Sequence, residues 1–196
     1  MENILEISKI EVGLEGLADV VFDRFFDHSK EKRPPEQKLY LTDDNIAVLP
    51  PGAIDSFLYR QLPPTGCALR FEGKAGKDYR AAGEANALCN ESLIPIIREG
   101  KPIVFSAFGS DGWYITNGSG ITKGSGGAAV KQENNPRPTI SLPWSVSFSI
   151  TVVKNQLINE AKLYNWFVAG GILIGLGNWR PQHGRFAVVK WEVKKS

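Results

Sequence analysis

The chain has 196 residues, 42% of them hydrophobic and 22% charged, with a formal net charge of +2. That suffices for one domain with a sizeable core, and it excludes a phosphate-binding surface built on bulk basicity, so any such surface must come from local clustering. Two cysteines, Cys67 and Cys89, and two histidines are too few for a disulfide framework or a structural zinc site.

The N-terminal Met1-Glu-Asn-Ile-Leu-Glu has no basic region and no long apolar run, so a secretory signal is not expected and a cytoplasmic location is. Ile10, Val12 and Leu14 alternate with Glu11 and Gly13, the period of a half-buried strand. A short helical or turn segment follows over Leu17–Phe26. His28–Gln37 is charged, carries Pro34-Pro35, and reads as a loop. Lys38–Leu41 and Ile46–Leu49 flank Thr42-Asp-Asp-Asn45, the form of a β-hairpin. Gly52–Leu62 predicts a helix with Ile54, Phe57, Leu58 and Gln61 on one face, stopped by Pro63-Pro64. Lys77–Cys89 predicts a second helix, with Tyr79, Ala82, Ala85 and Leu88/Cys89 as its buried stripe. Leu93–Ile97 and Ile103–Phe108 read as strands.

Between Gly109 and Pro143 glycine, serine, threonine and asparagine dominate. Too few apolar residues remain to offset the entropy of ordering, so a long flexible loop or extended hairpin is expected over 109–143. Trp144–Val153 alternates apolar residues with Ser and Thr, a clear strand. Leu157–Ala169 predicts a helix with Asn155 as N-cap and Gly170-Gly171 at its end. The longest apolar stretch, Trp166–Leu176, falls well short of the ~20 residues that a bilayer requires. Arg185–Val193 reads as a last strand. Strands mixed with covering helices make this an α+β chain, 1–196, read as a single domain with an insertion at 109–143.

The strongest local signal is the loop between the last helix and last strand, Gly175-Leu-Gly-Asn-Trp-Arg-Pro-Gln-His-Gly-Arg-Phe186. Gly175, Gly177 and Gly184 permit close backbone approach, and N–H groups in such loops can cradle a phosphate. Arg180 and Arg185 are bidentate phosphate donors, His183 is a further donor, and Trp179 offers a face for a base. A tight turn with Trp179 in the core is the competing reading. A second candidate is Lys74, Lys77 and Arg80, spaced to lie on adjacent helical turns, against a plain solvated helix end. A third lies on the 109–143 segment, where Trp113 and Tyr114 are aromatic and Lys123, Lys131 and Arg137 are basic; the alternative is that Trp113 and Tyr114 belong to a strand and pack in the core.

Catalytic constellations are sparse. His28 and His183 are the available general-base histidines. Asp23/Asp27 and Asp43-Asp44 are nominal metal carboxylates, and turn chemistry explains the second pair better. Cys67 and Cys89 have no histidine nearby in sequence.

The order strand, helix, Gly-rich loop, last strand, with Gly-x-Gly…Gly-Arg-Phe, resembles the RAMP superfamily. These are RNA-recognition-motif-like proteins that form backbone subunits and processing nucleases of CRISPR complexes, with small relatives in phages and mobile elements. The likeness is specific for residues 144–193. It implies a modified ferredoxin-like antiparallel sheet covered by helices, which binds single-stranded RNA or DNA, with the 109–143 insertion as a thumb. It also implies self-association or membership of a larger ribonucleoprotein, with no cofactor, metal or membrane. The leading expectation is a non-enzymatic binder of single-stranded nucleic acid. The alternatives are a phage or mobile-element assembly protein or CRISPR-complex mimic, and a metal-independent endoribonuclease using His28 or His183.

Overall fold

The computed structural model describes residues 5–24, 33–62, 65–117, 120–123, 129–132 and 135–195. In chain order the elements are β1 (Ile7–Gly16), β2 (Val20–Val21), β3 (Val48–Leu49), α1 (Pro51–Tyr59), α2 (Cys67–Phe71), α3 (Gly76–Asn86), β4 (Ala87–Cys89), β5 (Ile94–Pro95), β6 (Ile97–Arg98), β7 (Lys101–Pro102), β8 (Trp113–Thr116), β9 (Gly120–Lys123), β10 (Ala129–Gln132), β11 (Arg137–Ile140), β12 (Ser145–Val153), α4 (Glu160–Leu173) and β13 (Phe186–Lys195).

The main sheet is antiparallel. β1 lies between β12 and β13, and both β4 and β6 pair with β12 at its opposite edge, at Ile150–Val152 and at Ser145. If β4 and β6 are taken as one interrupted strand, the order is last, first, third, second. Helices lead from the first strand to the second and from the third to the fourth. That α+β arrangement is compatible with a ferredoxin-like split βαβ.

The alternation seen in the sequence decides the two faces. Ile10, Val12 and Leu14 of β1 and Val146, Phe148, Ile150 and Val152 of β12 are all buried under the helices. Phe167 of α4 centres this layer, with ring centroids 5.1 Å from Phe57, 6.0 Å from Phe148 and 6.4 Å from Phe186. The other face is open. It carries Lys9, Glu11, Ser147, Thr151, Lys190 and Glu192, with ion pairs Lys9–Glu11 at 3.2 Å and Lys190–Glu192 at 3.4 Å.

Among the described residues of the 109–143 segment the strands pair antiparallel in hairpin fashion. β8 pairs with β11, β9 pairs with β10, and β2 adds to β11 to make a small second sheet at the hairpin base.

Several expected elements differ. Leu17–Phe26, expected as a short helical or turn segment, contributes strand β2 at Val20–Val21. The Lys77–Cys89 helix ends at Asn86, and Ala87–Cys89 turns into β4, because those residues complete the edge of β12 and leave Leu88 56% exposed. Gly170 and Gly171 lie inside α4 rather than ending it; an added Cβ at Gly170 would sit 2.7 Å from Phe57 and Cys67. The N-cap of α4 is Asn159, which accepts from Lys162 N at 2.9 Å, while Asn155 closes the preceding turn by accepting from Leu157 and Ile158. Ile103–Phe108 forms no strand beyond a single bridge from Val104 to Ile46.

Candidate nucleic-acid interface

The Gly175–Gly184 loop is tied down from both sides. Leu176 N donates to Gly184 O, His183 N to Trp179 O, Asn178 N to Val21 O and Gly184 N to Asp19 O. Asn178 forms a bridge to Val21, so the loop adds to the β2 edge of the hairpin-base sheet. The glycines are there for space. An added Cβ at Gly184 would lie 1.8 Å from Leu176 O, and one at Gly177 2.6 Å from Val21 O, with both residues at positive φ.

This corrects the phosphate-cradle expectation. The N–H groups of Gly175, Leu176, Asn178, Trp179, His183 and Gly184 all donate within the protein. At those six positions recognition falls to side chains.

Trp179 is the residue the loop displays. Its φ is +52°, a left-handed backbone that a bulky side chain rarely adopts, and Asn178 Oδ1 holds its N–H at 2.7 Å. The indole is half-buried, and Arg137 Cζ lies 4.5 Å from its centre. Arg137, in β11, is itself only 6% exposed. Its Nε donates to Asp23 at 2.9 Å, and Asn178 Nδ2 donates to the same carboxylate at 3.2 Å. A desolvated guanidinium with a fixed counterion makes a rigid floor for the indole, worth about 1 kcal/mol or more as a cation–π contact. The His183 ring stands 6.1 Å from that of Trp179.

Around this pair three segments meet: β2 and its continuation to Arg24, the base of β11, and the loop. Lys38 is 5% exposed and donates to Asn135 and to Pro136 O. Burial pushes its ammonium below the usual lysine range; Asp23 opposes that shift and Arg137 adds to it. Arg24 is exposed and lies 5.8 Å over the Tyr40 ring. Asp19 fastens the junction: it accepts from Tyr114 Oη at 2.5 Å and from Leu142 N at 3.0 Å, while its carbonyl takes Gly184 N.

The other expected residues are dispersed. Trp113 is a correction: it is 1% exposed, packs on Phe22 and Phe105, and has no free face for a base. Arg180 leaves the Trp179 side and reaches α1, donating to Ser56 Oγ. Arg185 is exposed beside the loop, and its carbonyl anchors Leu17 and Ala18. Lys74 and Lys77 are exposed between α2 and the start of α3, and Arg80 is taken up by Glu84 and Gln61, each at 2.8 Å. Lys123 belongs to β9, and His28 and Asp27 lie outside the described residues.

Sequence reasoning missed Lys38, Asn178 and Asp19, and it read Asp23 as a metal carboxylate rather than the counterion of Arg137. An Asn directly before the Trp of a glycine-rich loop was the available signal, since Asn side chains commonly hold turn backbone. The thiols are poor nucleophiles: burial pushes Cys67 well up, and pushes Cys89 up to about 11.

The fold is similar to that of a chain in the type III-B Cmr-beta complex bound to cognate target RNA, solved by cryo-EM. The likeness has a TM-score of 0.54 at 13% sequence identity and covers 97% of this chain and 61% of that one. At that identity the likeness is one of fold, and this chain spans about three-fifths of its neighbour's length. No protein-family model matches the sequence, and no curated protein matches it. No helix among the described residues is long and apolar enough to cross a membrane.

Proposed function

We propose that this chain is a non-enzymatic, RAMP-like subunit that binds single-stranded nucleic acid along the seam between the hairpin base and the Gly175–Gly184 loop. The carrying observation is Trp179, an indole held on the Arg137 guanidinium in a backbone conformation that costs free energy. Such local strain gathers where a side chain must be presented in one orientation. A base stacks on the outer face of the indole, Arg24 and Arg185 meet neighbouring phosphates, and the hairpin closes over the strand. The fold likeness to a chain of an RNA-bound CRISPR complex supports the same reading.

The open sheet face is not the platform. Ring-stacking on such sheets uses aromatic residues on the strands, whereas here the described face presents Ser, Thr, paired charges and the exposed Leu88, with no aromatic side chain. Fluorescence anisotropy with a short oligonucleotide at low salt is the test. Trp179→Ala is expected to weaken binding about tenfold or more, since a stacked base contributes about 1–3 kcal/mol. Unchanged affinity in that variant, or no binding by the native chain, overturns the reading.

A second reading, a protein-binding assembly component, is favoured by one feature. Tyr164, Val168 and Ile172 form an exposed apolar stripe along α4, 42–47% accessible, beside Val193 on the sheet edge. Gel filtration after nuclease treatment separates the two: a large assembly that persists without nucleic acid favours the protein-binding reading.

A further inference from the structure

Adjacent residues of the loop go to different partners. Trp179 lies on β11, while Arg180 turns to the last turn of α1. Its guanidinium donates to Gly175 O and Ser56 Oγ, both at 3.3 Å, and both acceptors are neutral. Among the described residues no carboxylate pairs with it. The side chain is largely desolvated, and that burial, with the nearby Arg60 charge, brings its pKa down to about 10.

Arg60 follows α1 directly, with its N–H on Ser56 O at 3.3 Å, so it emerges one turn beyond the serine that Arg180 touches. It is exposed and has no carboxylate partner among the described residues. The acid of this helix, Asp55, has its pKa raised by burial and then by Glu84 of α3, and no ion pair joins it to either arginine among the described residues. The Arg180 guanidinium and the Ser56 hydroxyl thus meet directly, Arg60 leaves the same helical turn close enough for its charge to act on Arg180, and among the described residues no carboxylate pairs with either arginine. Burying a cation beside a like charge is costly unless an anion of matching geometry completes the site. A guanidinium fork suits phosphate oxygens. A chain diester brings one negative charge, whereas a terminal phosphate brings close to two, the number this pair lacks.

We propose that Arg60, Arg180 and Ser56 form a seat for a phosphate monoester, the terminal phosphate of a strand or of a small phosphorylated compound. Its use for a strand end rests on the nucleic-acid reading above; the seat itself does not.

The test uses the full chain with four probes: inorganic phosphate, and one oligonucleotide bearing a 5′-phosphate, a 3′-phosphate or neither. One end phosphate is expected to raise affinity about tenfold over the unphosphorylated strand, and phosphate alone to raise the melting temperature. Arg60→Gln, a surface change that leaves folding intact, and Arg180→Gln are expected to abolish both effects. Trp179→Ala is expected to weaken all three strands alike and keep their ratio. A melting shift with phosphate but no end effect supports the seat and assigns it to a small compound. A melting shift without any strand binding keeps the seat and removes the nucleic-acid reading. Equal binding of the three strands with no melting shift overturns the seat and leaves that reading standing, as does an effect that survives Arg60→Gln.

Discussion

Trp179 carries two opposed terms. Its left-handed backbone costs roughly 1–2 kcal/mol for a residue with a Cβ, and its contact with Arg137 returns about 1 kcal/mol. Glycine at this position removes both. Trp179→Gly is therefore expected to lower stability less than Trp179→Ala does, by about 1 kcal/mol, because glycine relieves the left-handed backbone that alanine keeps, while losing oligonucleotide binding as fully. Chemical denaturation and anisotropy on the same samples check this. A large loss of stability in the glycine variant would make Trp179 a packing residue. The sequence already pointed to Trp179, Arg185 and the loop glycines, because a Gly-rich loop with Trp and Arg is a local pattern. It did not reveal that Arg137 lies beneath Trp179 or that Arg180 turns away. Those facts depend on which segment lies across from the loop, and β2 and β11 come from far along the chain.

α4 shows how tertiary packing reverses a local preference. Glycine inside a helix is less favourable than alanine by about 1 kcal/mol, so Gly170-Gly171 reads as an end. Inside the fold an added Cβ at Gly171 would lie 2.5 Å from the carbonyl oxygen of Phe186, a backbone atom with nowhere to go. Gly171→Ala is expected to destabilise by about 2 kcal/mol or more, against its propensity. Gly52→Ala in α1, where a Cβ would meet nothing within 4 Å, is expected to stabilise by about 0.5–1 kcal/mol. Thermal melts of the two variants should move in opposite directions. The same contrast explains what was legible among the elements. β12 was clear because alternating Val, Phe and Ile against Ser and Thr obeys the sheet it joins. Leu88 and Cys89 fit a helical stripe equally well and were settled by pairing with β12, which no local pattern encodes.

Over the molecule as a whole, charge is nearly balanced, and many exposed cations already sit against carboxylates, as Lys9, Arg80 and Lys190 do. Binding should then depend on a few phosphate contacts rather than a broad basic field. On single strands each contact contributes about −0.7 to the slope of log K against log salt, so a slope of roughly −1.5 to −3 is expected. A titration from low to moderate salt measures it, and a slope several times steeper would place the strand on a different surface.

The position of β1 has a consequence for how the chain is made. It leaves the ribosome well before its register partners, which run from Ser145 to Val153 and from Phe186 to Lys195. Until those late segments emerge, Ile10, Val12 and Leu14 have no sheet to enter. The central strand must wait, exposed, while the long stretch of chain between it and β12 is made. Contacts of such long range slow folding, and an apolar strand left unpaired is a place for chaperones to hold and for nascent chains to stick to one another.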